Sequence, residues 1–328
     1  TVNDFPKLQL SSHLKPATVK EDGASIIVSG SNFKAIFDKE NGVLTSYKVN
    51  GTEYINNGFG PRPFFWRAPT DNDYGARLPK KLNAWEKASY QELQAEDFKI
   101  NQGDKTTISY RYTYPQTNAT NTVTYTIYNN GIIRVDNHFD ASQCELPYIP
   151  RIGMRMQLPN YIVNAEYYGR GQWENYSDRK TSAFVDSYSS RIKDMVTKYV
   201  RPQENGHYTD IKWVALTQSS GKGLLFVADE TFEFNASNYL LETISDGEEL
   251  YLDAPVGTAP RPKHINDYKP SPLVDLFIDY RMQGVGGNNS WGALPLDQYM
   301  IKPSSTPVDY GFTIIPIKNK KEINGYFK

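Results

Sequence analysis

Little in these 328 residues favours disulfide, metal, nucleic-acid or membrane chemistry. A single cysteine, Cys144, excludes an intrachain disulfide and a thiolate metal cluster. The four histidines (His13, His138, His207 and His264) are scattered and show no metal-site spacing. The formal net charge of −1 supplies no long-range field for a phosphate backbone, so nucleic acid is not an expected partner. No apolar run approaches the roughly 20 residues a helix needs to span a bilayer, so no membrane partner is expected either. Helical periodicity is also scarce, and Leu82–Glu96 is the best short candidate. The chain opens at Thr1 without a methionine or leader, which reads as a piece of something longer.

What is present points to β structure. The chain holds 24 Tyr, 15 Phe and 5 Trp, a balance that suits strands and also sugar contact. Asn41-Gly42, Asn50-Gly51 and Asn130-Gly131 each separate apolar stretches. Asn-Gly tolerates the positive φ angles of tight turns, so each predicts a hairpin. Around them the period is two: Val123, Tyr125 and Ile127 alternate with Thr124 and Thr126. Further strands are expected at Ser25–Val28, Lys34–Asp38, Thr107–Tyr114, Ile152–Gln157, Gly223–Ala228 and Gly311–Ile317. The 20 prolines gather between strands, as in Pro61–Pro69 and Pro255–Pro272, and read as ordered irregular loops. No repeat or low-complexity linker divides the chain, so residues 1–328 read as one large antiparallel β domain.

Four segments are rich in residues that do chemistry or shape loops. Arg67-Ala68-Pro69-Thr70-Asp71-Asn72-Asp73-Tyr74-Gly75 reads as an ordered surface loop held by Asx turns; its Asp-Asn-Asp run lacks EF-hand spacing for calcium. Tyr168–Arg179 mixes two Arg, Glu and Asp with aromatics, a mixture that needs paired charges, as in a network pinning a long loop. Tyr199–His207 carries a turn at Asn205-Gly206, and His207 reads either as a general base or as a solvated loop histidine. Gly284–Gly292 has glycines but no Lys-Ser/Thr and no dinucleotide spacing; it reads as a small-residue loop presenting Trp291.

In this order the segments resemble the C-terminal domain of glycoside hydrolase family two β-galactosidases. The matching runs are RAPTDNDYG at Arg67–Gly75, GRGQWENYSDR at Gly169–Arg179, YVRPQENG at Tyr199–Gly206 and GVGGNNSW at Gly284–Trp291. NGVLTSYKVNG, at the first hairpins, also fits. The resemblance spans nearly the whole chain. The sequence departs from the family at Asn288-Asn289, where acidic residues often stand, and at Ala76 to Asn83.

The resemblance implies an all-β fold, the large antiparallel supersandwich shared with galactose mutarotase. It implies a longer parent with jelly-roll, immunoglobulin-like and barrel domains, hydrolysing terminal β-D-galactosides of the lactose type with retention. The catalytic glutamates would lie in that barrel, so no catalytic residue is expected here. A retaining pair needs carboxylates about 5–5.5 Å apart, and none of the 37 acids is nominated. Mg²⁺ and a monovalent cation would belong to the parent, and no metal ligand is expected in this chain. Expected partners are a β-galactoside, the parent's other domains and further copies in a homo-oligomer. The compartment stays open between bacterial cytoplasm and periplasm.

The domain would form one wall of the substrate pocket, with Trp291, Asn289, Gly75 and Asp73 binding substrate. Trp291 would stack on the aglycone side, and Gly75 would begin a mobile loop. Burying about 80 Å² of indole is worth on the order of 2 kcal/mol, or about thirtyfold in affinity. That selects and positions a sugar but does no bond chemistry. The alternatives are an aldose 1-epimerase using His207 with Glu204 or Asp210, and a non-catalytic carbohydrate-binding or scaffold domain.

Overall fold

The computed structural model describes residues 2, 5–11, 15–244, 264–289 and 292–327. Among them the first sheet is a five-stranded antiparallel meander: β1 (Thr18–Asp22), β2 (Ser25–Ser29), β3 (Phe33–Asp38), β4 (Leu44–Val49) and β5 (Thr52–Glu53). The chain then passes through β6 (Arg62–Phe64) into three short helices, α1 (Asp71–Gly75), α2 (Leu78–Lys81) and α3 (Asn83–Tyr90). The remaining strands are β7 (Glu96–Gln102), β8 (Thr106–Tyr114), β9 (Ala119–Ile127), β10 (Ile133–Asp140), β11 (Arg151–Pro159) and β12 (Asn164–Gly171). They are followed by β13 (Phe184–Arg191), β14 (His207–Thr217), β15 (Gly223–Ser237), β16 (Leu273–Met282) and β17 (Val308–Ile317).

With β6 these strands form a twelve-stranded antiparallel sheet that forks at β15. Residues 223–228 of this strand pair with β17, whereas residues 233–237 pair with β16. One long bent strand thereby joins the path β13-β12-β14-β15-β17-β10-β9-β8-β7 to the β16-β11-β6 layer. The result is the curled all-β, antiparallel architecture expected from the strand pattern.

Alternation on the strands explains the layering. Val123, Tyr125 and Ile127 on β9 are wholly buried, as are Ile133 and Val135 opposite them on β10. They belong to one hydrophobic cluster that also includes Ile26, Phe37 and Tyr47 of the first sheet. The other face of the large sheet has its own cluster, with Trp213, Leu225 and Ile315 packed under Phe5 and Phe327 from the chain ends. The three Asn-Gly dipeptides turn hairpins as expected. Asn50 and Gly51 both take positive φ, +48° and +78°, the pattern of a tight two-residue turn.

Helix is where expectation and structure part. The Leu82–Glu96 candidate is helical only from Asn83 to Tyr90, and Glu96 already begins β7. α3 buries Trp85 and Ala88, and the Trp85 indole N–H donates to the Tyr148 carbonyl at 2.9 Å. Trp85 packs on Phe65, which also meets Tyr114 and Phe139 with ring centroids 4.9 and 5.1 Å away. This aromatic knot fixes the backbone just before Arg67.

Candidate functional site

The four motif segments, joined by contacts between residues as much as 217 positions apart, come together at one end of the large sheet. Their meeting point is the Arg67 guanidinium, which is buried. Its Nε and Nη2 donate to Asp73 Oδ2 and Oδ1 at 3.0 and 2.8 Å. Nη1 and Nη2 also donate to the carbonyls of Gln283 and Gly284 at 2.6 and 3.0 Å. One planar fork thus ties the first segment to the last; a lysine could not span these acceptors.

Asp73 is not on a surface loop. It sits at the third position of α1, whose N-cap Thr70 accepts from Asp73 N–H while the Asp73 carboxylate accepts from Thr70 N–H. This reciprocal capping box starts the helix. The Asx-turn reading of this stretch is corrected: the carboxylate is buried and serves a cap and an ion pair. Gly75 is the last residue of α1, and its backbone abuts Gly292.

The Gly284–Gly292 loop is held from two further sides. Asp178 Oδ1 and Oδ2 accept from Val285 N–H and Gly286 N–H at 3.0 and 2.8 Å. Asn72 Nδ2 donates to the Val285 carbonyl at 3.1 Å. Gly284 is required sterically, because a Cβ there would sit 2.6 Å from Asp178 Oδ2. Asn289 is exposed, and its Oδ1 accepts from Ala293 N–H at 3.3 Å. Trp291 and its neighbour Ser290 lie outside the described residues.

The other two segments brace this arrangement with ion pairs, as their composition suggested. Glu174 pairs with Arg179 at 2.7 Å and accepts from Tyr199 Oη and from Gly206 N–H. Asp210 receives Arg170 and Lys180; burial raises its pKa, but the hydrogen bonds from these two cations hold it below the usual carboxylate value. Asp71 is bound by Arg201 and Gln203, and Glu204 Oε2 accepts from Ala68 N–H.

Beneath the loops lies a buried charged cluster that the sequence reading missed. Arg151 lies within 3.4 Å of Glu204 and 3.3 Å of Asp279. His207 Nε2 is 2.8 Å from Glu233 Oε2 and its Nδ1 is 4.0 Å from Asp279. Burial pushes the Asp279 carboxyl up to about 7, against Arg151 and His207, which lower it. His207 is therefore not a solvated loop histidine: it is wholly buried at the start of β14. None of its ring is accessible, and it faces Glu233 rather than Glu204 or Asp210, the pairs an epimerase was expected to use. The overlooked signal is charge within apolar strands: Arg151 and Arg155 on β11, and Asp275 and Asp279 on β16, each four residues apart.

Among the described residues no three His, Cys, Asp or Glu side chains are grouped as a metal ion requires.

A family described as beta galactosidase small chain matches residues 29–314. The chain belongs to this family. It is 34% identical to a β-galactosidase of Priestia megaterium across 92% of its own length but 27% of that protein's. A Streptococcus thermophilus β-galactosidase is 27% identical over 92% of the chain and 28% of its own length. The chain thus spans about a quarter of the curated relatives it matches. Among solved structures, a galactose 1-epimerase from Lactobacillus acidophilus is similar with a TM-score of 0.49 at 8% identity, covering 95% of this chain and 98% of that one.

Proposed function

We propose that this small-chain domain forms one wall of the substrate pocket of a longer β-galactosidase that hydrolyses terminal β-D-galactosides with retention. The catalytic glutamates, and the Mg²⁺ and monovalent cation sites, lie in the remaining part of that enzyme. The observation that carries this reading is the convergence of Arg67, Asn72 and Asp178 on the backbone of residues 283–286. Three polar side chains from distant parts of the chain spend their hydrogen bonds on a loop only a few residues from Trp291. Such pre-organisation suits a loop whose job is to hold a flat side chain against a sugar. Asn289, Gly75 and Asp73 belong to the same wall, Asp73 through its grip on Arg67. The partners in this reading are a β-galactoside, the other domains of the enzyme and further copies of the whole.

The test is kcat/KM for lactose and for a nitrophenyl galactoside in the full enzyme carrying Trp291→Ala. A loss of about ten- to a hundredfold, unequal for the two leaving groups, supports a wall on the aglycone side. Unchanged kinetics in a folded, assembled enzyme would make the domain a scaffold.

A further inference from the structure

A cleft of about 670 Å³ opens on the flank of the large sheet, and no described residue of the 284–292 loop lines it. Tyrosine rings back it: Tyr167 on β12 and Tyr208 on β14, both buried, are tilted against each other at 5.2 Å between ring centroids, and half-buried Tyr188 on β13 lies 5.6 Å from Tyr167. One rim carries Trp173, a residue 67% exposed. The opposite rim is the chain from Asp194 to Lys198 that leaves β13. The volume falls within the range of ligand sites, and a concave wall of rings with a few polar groups is their usual make-up.

Trp173 is exposed, and the backbone that carries it is tied down on both sides. Asn175 Nδ2 donates to the Trp173 carbonyl at 3.0 Å and to the Arg170 carbonyl at 3.2 Å. Asn175 Oδ1 in turn accepts from Thr209 N–H and Oγ1. On the other side of the same turn, Glu174 is fixed by Arg179, Tyr199 and Gly206. The turn thus presents the exposed indole from a fixed backbone at the rim of the cleft. Meanwhile Gln172, Asp194 and Lys198 line the cleft and engage no other described side chain.

We propose that this cleft binds a neutral oligosaccharide. A pyranose offers an apolar C–H face for the Trp173 indole and the Tyr188 ring, and a hydroxyl rim for an amide, a carboxylate and an ammonium. The lining holds two acids, Glu174 and Asp194, against one base, Lys198, which disfavours phosphorylated, sulfated or uronic ligands. The proposal stands apart from the reading of the Trp291 loop, since it concerns binding and not turnover.

The experiment is isothermal titration of the 328-residue chain with β-1,4-galactotetraose and with cellotetraose, alongside tryptophan fluorescence. The chain should bind at least one of the two. Trp173→Ala should weaken that binding at least tenfold, Trp173→Phe should recover part of it, and Gln172→Ala should weaken it several-fold. Dependence on Trp173 and Gln172, neither of which belongs to the 284–292 loop, separates this cleft from the pocket wall. Circular dichroism melting of each variant keeps loss of binding distinct from loss of fold. Absence of binding to both tetrasaccharides, or binding indifferent to Trp173→Ala, overturns the proposal. So does a Trp173→Ala defect confined to assembly of the longer enzyme, which would make the cleft a protein interface.

Discussion

Gly292 is pressed against Gly75 so closely that a Cβ on Gly292 would lie 2.4 Å from both the carbonyl carbon and the oxygen of Gly75. Gly292 also has φ of +95°, where an L side chain is strained. Both effects act on the residue next to Trp291. Gly292→Ala should therefore cost about 1–3 kcal/mol of stability, read as a lower urea midpoint at unchanged slope. In the full enzyme it should also lower kcat/KM for lactose. A variant as stable as the parent chain would show that the two backbones part easily.

The Asp178 carboxylate accepts from both Val285 N–H and Gly286 N–H, one through each oxygen. Hydrogen bonds to a charged group contribute about 1.5–3 kcal/mol. Asp178→Ala leaves both N–H groups to water and frees the loop. The expected outcome is a KM for lactose raised about tenfold, with kcat less affected, because positioning rather than chemistry is lost. Asp178→Asn keeps one acceptor and should fall between. Equal losses in kcat and KM-independent stability would place Asp178 in folding alone.

How far the sequence reveals this depends on the range of the interaction. Asn50-Gly51 turns where it should because its φ preferences are local. β9 and β10 appear because their alternation is complete. β13, FVDSYSSR, escapes because it is an edge strand exposed on both faces and so carries no apolar period. Thr70-x-x-Asp73 is a capping-box spacing, yet a helix of five residues has no periodicity to announce it. The shared order of the four segments carried the family, but their convergence on Arg67 is tertiary, and nothing in their spacing contains it. His207 was misplaced for the same reason: its burial depends on Glu233 and Asp279, contributed by β15 and β16.

Arg67 and Asp73 are both buried and bound through two bonds, so removing either strands the other. Asp73→Ala should cost about 3–5 kcal/mol, the range for breaking a buried pair. Asp73→Asn keeps the cap oxygen and should cost less. Because both Asp73 oxygens already serve protein partners, activity in the full enzyme should fall in step with thermal stability. A large kinetic loss in an Asp73 variant that melts normally would instead put this carboxylate on the substrate.

Asp279 sets a pH dependence of stability whose sign follows from its burial. Its folded-state pKa of about 7 lies above the ordinary value near 4. Between those values the folded chain holds a proton that the unfolded chain has released, so stability falls as pH rises from about 4 to 7. Arg151 and His207 oppose the shift, and Glu233 and Glu204 support it. Their coupling holds the span to a few kcal/mol, on the order of the linkage for a single buried group. Gly153 leaves the carboxyl its room, since a Cβ there would lie 1.9 Å from Asp279 Oδ1. Asp279→Asn keeps the shape and removes the titration. Urea unfolding at pH 5, 6, 7 and 8 should then show a shallower decline in the variant than in the parent chain. Parallel declines would show that Asp279 does not carry the proton.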